Sequence, residues 1–304
     1  MKVAVIEVAG KELTVTNLDK VWWPQSGITK GDVIRYYVEI APWLLPHLQN
    51  RPLVLTRYPD GYEGKSFYQK NTPAHAPEWL RTFPLQSDSG RIINYCLADD
   101  LADLIWIVNS GAFEIHPFLS RVATIEQPDY VVFDLDPMEK ATWQHVCETA
   151  LAIAKALELW GLHAFPKTSG STGMQIFVPI KLGYTYEQVW KFALAICQAV
   201  QSVLPHMTTL ERKIAKREGK LYLDYLQNGL GKTLATVYGV RPKPGATVSA
   251  PLTWEEVAEA ELRPADFTIN NILQRVRNMG DLFAPVQNIA QSLDHILEQG
   301  ESRK

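Results

Sequence analysis

The sequence predicts a mixed α/β fold, and two observations predict it. Short runs rich in β-branched and aromatic residues recur along the chain, at 51–58, 131–137 and 175–180 among others. Between them lie longer stretches with apolar residues at helical spacing, three of them opened by a threonine at Thr29, Thr142 or Thr185. The 304 residues, 46% of them apolar, suffice for a large core in one large domain or two. No repeat, low-complexity segment or Pro/Gly-rich linker divides the chain, so one compact body is expected rather than two tethered domains.

In chain order, 3–8 and 12–16 alternate well enough for a hairpin across Ala9-Gly10. Thr29 with Asp32 forms a capping-box pattern for a helix to Leu45, with Val33, Ile34, Tyr37, Ile40 and Ala41 as its apolar stripe. Residues 51–58 read as a strand, Pro59-Asp60-Gly61 as a turn, and 66–70 as a strand or loop. If 66–70 is a strand, Phe67 and Tyr68 face opposite sides, one buried and one free to stack. Strands are expected at 91–97 and 112–116 and a helix at 99–109; His116 just precedes a proline.

Residues 131–137, VVFDLDP, read as a strand stopped by Pro137. Alternation puts Asp134 and Asp136 on one face, their Cα atoms roughly 6–7 Å apart, and Val131, Phe133 and Leu135 on the other. Two carboxylates side by side on a half-buried strand stay ionised most easily around a divalent cation. The alternative is that Asp136 opens a turn and Asp134 is paired elsewhere.

A helix is expected from Thr142 to Trp160, closed by Gly161, with Trp143, Val146, Ala150, Ile153 and Leu157 inward. Strands at 163–167 and 175–180 flank TSGSTG at 168–173. Its small residues suit a phosphate or a plain hairpin turn, and no GK[ST] makes it a P-loop. A helix follows from Thr185 to Leu204, with Val189, Phe192, Ile196 and Val200 inward. Arg212, Lys213, Lys216, Arg217 and Lys220, mixed with Glu211 and Glu218, read first as a solvated face. Residues 219–228 read as a strand with Tyr222, Asp224 and Leu226 on one face. Asp224 there is either a satisfied carboxylate or a functional one. Lys232, Arg241 and Lys243 follow; TWEE at 253–256 caps a helix, 268–280 gives another, and the polar tail from Gln299 frays.

The formal net charge of −3 excludes polyanion binding by bulk charge, so a nucleic-acid surface would need local clusters. One such feature is Lys30 at the start of the first helix, with Lys20 just before it. A lysine at the positive end of a helix is slightly unfavourable unless an anion docks there on free backbone N–H groups; the alternative is two solvated surface lysines. Cys96, Cys147 and Cys197 are far apart without CxxC, which points to buried thiols in a reducing compartment rather than disulfides or zinc. No N-terminal signal pattern or membrane-length apolar run occurs, so a soluble cytosolic protein is expected.

The segments TNLDK, GITK, FYQK, FEIH, FDLDP, KTSGSTG, LDYLQN, YGVRPKPGATVSAPLTWEE and GDL stand in this order from about Leu13 to Arg277. Each is short and weak, but together they resemble the polymerase domain of bacterial ligase D and its stand-alone relatives. That is the end-joining branch of the archaeo-eukaryotic primase superfamily. The resemblance implies a primase-polymerase fold, with central, mostly antiparallel sheets flanked by helices. It implies one catalytic domain over 1–304, with a DNA-end-binding part at about 1–125 and a metal and nucleotide part at about 126–285. No ligase or nuclease segment is present, so a free-standing polymerase is expected.

The resemblance further implies that Asp134, Asp136 and Asp224 hold two divalent ions, manganese or magnesium, which hard carboxylate oxygens suit. The triphosphate would lie over Ser169, Ser171, His116 and Arg241, with Gln227 and Lys232 as neighbours. Lys20 and Lys30 match a pocket for the 5′-phosphate of a broken end. Phe67 and Tyr68 match an aromatic pair that stacks on the template, Arg57 holds the template strand, and Arg217 sits on a loop that aligns an incoming end. The chain departs from the family at Thr172, usually lysine, and at Gln175, usually histidine. Both changes remove cationic help for the nucleotide, so either a nearby base such as Lys167 or Lys232 compensates or nucleotide binding is weaker. The implied function is gap filling and 3′-overhang extension in prokaryotic non-homologous end joining, with NTP or dNTP, ribonucleotides preferred, and with Ku and a separate DNA ligase as partners. The alternatives are a primase or primer-extending polymerase and a catalytically weak end-bridging module.

Overall fold

The computed structural model describes residues 3–87 and 89–301. Internal contacts divide the chain into two compact units. The first comprises Met1–Ala123, Thr233–Ser249 and Phe267–Asp281; the second comprises Thr124–Lys232, Ala250–Asp266 and Leu282–Lys304.

The first unit opens with the expected hairpin, β1 (Val3–Val8) against β2 (Lys11–Thr16). A short pair, β3 (Val21–Trp23) and β4 (Ile28–Thr29), leads into α1 (Lys30–Leu48). Its capping box is complete: Thr29 Oγ1 accepts from the Asp32 N–H at 3.1 Å, and Asp32 accepts from the Thr29 N–H at 2.8 Å. The helix runs past Leu45 to Leu48 although Pro42 and Pro46 lie inside it. An interior proline costs about 3 kcal/mol. The two prolines cost about 6 kcal/mol together, and Ile40, Leu44 and Leu48, all fully buried at about 1.5–3 kcal/mol each, offset that loss.

Next come β5 (Leu53–Arg57) and β6 (Phe67–Gln69), then a hairpin of β7 (Thr82–Gln86) and β8 (Ile92–Cys96). α2 (Leu101–Asn109) packs on α1 and is capped by Asp100 with Asp103. β9 (Glu114–Pro117) completes a three-stranded antiparallel sheet in the order β6-β5-β9. The core of this unit is aromatic: the Phe113 ring lies 4.7 Å from Tyr58, 4.9 Å from Trp23 and 5.3 Å from Trp22.

The second unit is built on a five-stranded sheet, β11-β12-β10-β14-β13. The acidic segment is β10 (Tyr130–Asp136), as its β-branched run dictates. After α3 (Trp143–Glu158) come β11 (Phe165–Thr168), β12 (Met174–Pro179), α4 (Tyr186–Val203), β13 (Thr208–Thr209) and β14 (Leu221–Asp224). All pairings are antiparallel except β13 with β14. α3 and α4 pack on the sheet through β12 and β10, and α5 (Trp254–Glu259), capped by Thr253 and Glu256, packs on α3. Val131, Val132, Phe133 and Leu135 are buried on both faces of β10, so the strand is central in the core. The mixed, mostly antiparallel sheets with flanking helices are the fold the sequence predicted.

Three expectations need correction. The strand expected at 219–228 ends at Asp224, because that side chain caps a turn by accepting from the Leu226 N–H at 3.0 Å, and Tyr225–Gln227 is a 3-10 turn. Phe67 and Tyr68 are both exposed, at 43% and 59%, so neither face of β6 is covered over them. Trp143 is half-buried, while Cys147 and Thr149 join the buried stripe of α3. The three cysteines are free and buried, as expected. A helix over Asp294–Glu301 occupies the start of the tail read as frayed from Gln299, and the rest of that tail lies outside the described residues. Among the described residues, no helix is long and apolar enough to cross a membrane.

Candidate active site

Strand register makes the acid cluster. Asp134 lies directly opposite Asp224 in the β10–β14 ladder, and Asp136 follows on the same face of β10. All three offer carboxylate oxygens within 4.8 Å of one another. Asp134 is buried, Asp224 half-buried and Asp136 exposed, so the cluster opens to solvent at one end. Burial first, then the Asp136 and Asp224 charges, push the Asp134 carboxyl well above the usual carboxylate range; Gln175 and Lys167 pull the other way. Asp224 is held by Tyr222 Oη at 3.2 Å, by the Leu226 N–H, and by Gln227 Nε2 at 3.2 Å. The donor set is all oxygen and suits a hard divalent cation rather than zinc.

The TSGSTG segment is a tight hairpin between β11 and β12. Ser169 Oγ, buried, accepts from the N–H groups of Ser171 at 3.2 Å and Gly173 at 3.0 Å. A Cβ on Gly173 would sit 2.0 Å from the Leu135 carbonyl oxygen, so only glycine lets this turn close over β10. Ser169 thus shapes its own loop, while Ser171 is half-buried and Thr172 exposed at the tip. Gln227 is tied to Asp224, and Lys232 is exposed.

Arg217 is not simply solvated. Its guanidinium lies 3.6 Å over the Tyr222 ring and donates to the carbonyls of Glu211 at 3.1 Å and Arg212 at 3.2 Å. The loop therefore packs onto the residue that hydrogen-bonds Asp224.

In the first unit, His116 and Arg241 meet at one carboxylate. Arg241 Nε donates to Glu114 Oε1 at 2.8 Å, Tyr58 Oη donates to Oε2 at 3.0 Å, and His116 Nε2 stands 3.8 Å from Oε2. Burial alone would raise the Glu114 carboxyl. His116, Arg241 and the Tyr58 hydroxyl outweigh it and hold the group at about 2.

Lys20, Lys30 and Arg57 line one cleft of about 330 Å³ together with Asn17, His75 and Trp106. Lys30 is 5% exposed and its Nζ is 3.3 Å from Thr16 Oγ1; burial, then the Lys20 charge, bring it down to about 8. Lys20 donates to Pro59 O at 2.7 Å and to Asp60 at 2.6 Å. The free backbone N–H groups expected at the start of α1 are taken. Lys30 N donates to Lys20 O and Gly31 N to Leu18 O, both at 2.8 Å, and Asp32 N to Thr29. Only side chains are left to receive an anion there. Arg57 donates to Ser110 O at 2.8 Å and Gln69 at 3.0 Å, with its guanidinium 5.1 Å over the Phe67 ring.

Several residues of these sites were not singled out from sequence. Glu114 sits two positions before His116 on a strand, so alternation already puts both on one face. Tyr222 bears the same relation to Asp224. Asn228 has no such local signal: its Oδ1 accepts from Val132 N at 2.8 Å and its Nδ2 donates to Val132 O at 2.7 Å.

The family model for the LigD primase-polymerase domain matches residues 29–283. The bifunctional non-homologous end joining protein LigD of Bacillus subtilis is 35% identical over 88% of this chain and 43% of its own length. The multifunctional non-homologous end joining protein LigD of Mycolicibacterium smegmatis is 32% identical over 94% of this chain and 37% of its own. The chain thus spans under half the length of these relatives. The polymerase domain from Mycobacterium tuberculosis ligase D, solved in complex with DNA, superposes with a TM-score of 0.85 at 30% identity, over 91% of this chain and 99% of that one. The fold is that of the primase-polymerase class. Within that class the chain belongs to the LigD primase-polymerase domain family.

Proposed function

We propose that this protein is a DNA-end-directed nucleotidyltransferase of prokaryotic non-homologous end joining that fills short gaps and extends 3′ overhangs in the cytoplasm. The observation that carries the reading is the convergence of Asp134, Asp136 and Asp224, from two strands, within 4.8 Å. These three carboxylates would hold two Mn²⁺ or Mg²⁺ ions. When bound, such ions lower the pKa of an attacking hydroxyl and offset charge on a phosphoryl group. The protein's own part is to bury Asp134 and to fix Asp134 and Asp224 in direction, with the cluster open to solvent at Asp136. Tyr222, Gln227 and the Leu226 N–H fix Asp224, and Gln175 fixes Asp134.

The proposed nucleotide-binding residues of the second unit are Ser169, Ser171, Gln227 and Lys232; those of the first unit are His116 and Arg241. Arg241 is held by Glu114 through Nε, an arrangement that sets the plane of its guanidinium. Lys20 and Lys30 would take the 5′-phosphate. Phe67 and Tyr68, both exposed, would stack on template bases, with Arg57 beside them and Arg217 on the end-aligning loop. A ribonucleotide preference and cooperation with Ku and a separate ligase belong to the same proposal.

The test is primer extension on a gapped duplex, with and without a 5′-phosphate, comparing NTP with dNTP and Mn²⁺ with Mg²⁺. Extension should need Asp134 and Asp136 and should favour the phosphorylated gap. Extension retained by the Asp134→Ala/Asp136→Ala double variant in metal-clean buffer would overturn the reading.

A further inference from the structure

The acids alone do not account for one lateral row across the five-stranded sheet. Register sets Lys167 opposite Gln175, Gln175 opposite Asp134, and Asp134 opposite Asp224. Residues opposite one another on neighbouring strands share a face, so four strands present four polar side chains in line. Lys167 is fully buried, with Nζ 2.5 Å from Gln175 Oε1; Gln175 Nε2 is 3.1 Å from Asp134 Oδ1.

An ammonium only donates, so the amide atom facing it must be the oxygen. The other end of the amide, its NH₂, then has to face the carboxylate. We propose that Lys167 and Gln175 are positioning residues of the acid triad: the lysine sets which way round the amide sits, and the amide holds Asp134 by one oxygen in a single orientation toward the cation. This rests on the reading that the triad binds a divalent ion. The lysine charge lies one side chain behind Asp134, where it offsets the crowding of three acids without occupying the cation's place.

The test uses Mn²⁺ alone with the full chain, followed by loss of the free-ion electron paramagnetic resonance signal, alongside thermal melting. Gln175→Leu should weaken Mn²⁺ binding about 10- to 100-fold, the usual effect of losing a partner behind a metal ligand. Lys167→Met alone strands the Gln175 amide oxygen, so the second variant is Lys167→Met/Gln175→Met, which removes the ammonium and the amide together. That double variant should fold and show the same weakening. Gln175→His should restore most of the affinity, because a neutral imidazole also accepts on one nitrogen and donates from the other. Wild-type affinity in the folded double variant, or no restoration by Gln175→His, overturns the inference. A wild type that binds no Mn²⁺ instead sinks the metal reading and the inference with it.

Discussion

Replacing Asp134 with asparagine should make the metal-free protein more stable while removing its activity. The three acids offer oxygens within 4.8 Å of one another. Two unit charges at that separation repel by about 3.5 kcal/mol at an effective dielectric constant of about 20. Asp134 enters two such pairs, but Asp136 is exposed and Asp224 half-buried, so solvent screens part of both. The Gln175 amide and the Lys167 charge behind it offset a further part, and protonation of Asp134 itself relieves more. What asparagine removes is then on the order of 2 kcal/mol. That corresponds to about 4–8 °C in melting temperature for a unit of this size. The sign with pH follows from the raised carboxyl. The folded state holds the Asp134 proton more tightly than the unfolded chain, so the penalty is absent below the unfolded value of 3.8 and grows as pH rises through the folded one. The gain from Asp134→Asn should therefore be larger at pH 8 than at pH 5. Mn²⁺ at about 100 times its Kd should stabilise the wild type by about 2.7 kcal/mol and the variant far less. Melting curves in chelator and in Mn²⁺ at both pH values decide it. A metal-free Asp134→Asn protein that melts at or below the wild type at pH 8 refutes the reasoning.

Glu114 is held at about 2 against an ordinary 4.5. It should contribute about 3 kcal/mol that is fully present above pH 4.5 and lost as pH falls toward 2, so Glu114→Gln should flatten the acid limb of a melting-temperature profile. Lys30, brought down to about 8, is cationic below that value, and the advantage of a 5′-phosphorylated gap in binding should fall as pH rises past 8; a preference unchanged at pH 9 counts against Lys30. Phe67→Ala and Tyr68→Ala should each weaken template binding by ~1–3 kcal/mol per lost stack, read by fluorescence anisotropy. Asn228→Ala should cost about 2–4 kcal/mol in denaturant unfolding, because it strands both buried polar groups of Val132.

What could be read from the chain was local. Thr29, Thr142, Thr185 and Thr253 all cap helices with reciprocal bonds; the acid three residues on announces the box at Thr29 and Thr253, while at Thr142 and Thr185 only the helix start was legible. The acidic strand was legible for the same reason: its β-branched run needs no distant partner to be recognised. What stayed hidden depends on neighbours far along the sequence. The strand Thr82–Gln86 carries Pro84 and exposes alternate residues, and only its pairing with Ile92–Cys96 makes it a strand. Alternation assigned Phe67 and Tyr68 to opposite environments, but it buries one of them only where distant chain packs over one face, and over these two residues neither face is covered. The Lys167–Gln175–Asp134 row joins residues from three strands, and no single segment contains it.

The same dependence explains why stability and chemistry meet at Asn228. Asp224 is opposite Asp134 only in one register, and a slip of one residue would turn it to the other face of the sheet. β14 is only Leu221–Asp224 and leaves the ladder at the acid itself. Beyond that point, Asn228 bonds both the N–H and the carbonyl of Val132 with its side-chain amide. The amide stands in for the strand residue that is missing and fixes the chain at a second point, two residues before Asp134 on β10. A short strand held at one end could slide; held at both, it keeps Asp224 on the face it shares with the other two acids. The turn that ends β14 and the side chain that replaces it are therefore parts of one device, and its product is the position of a carboxylate.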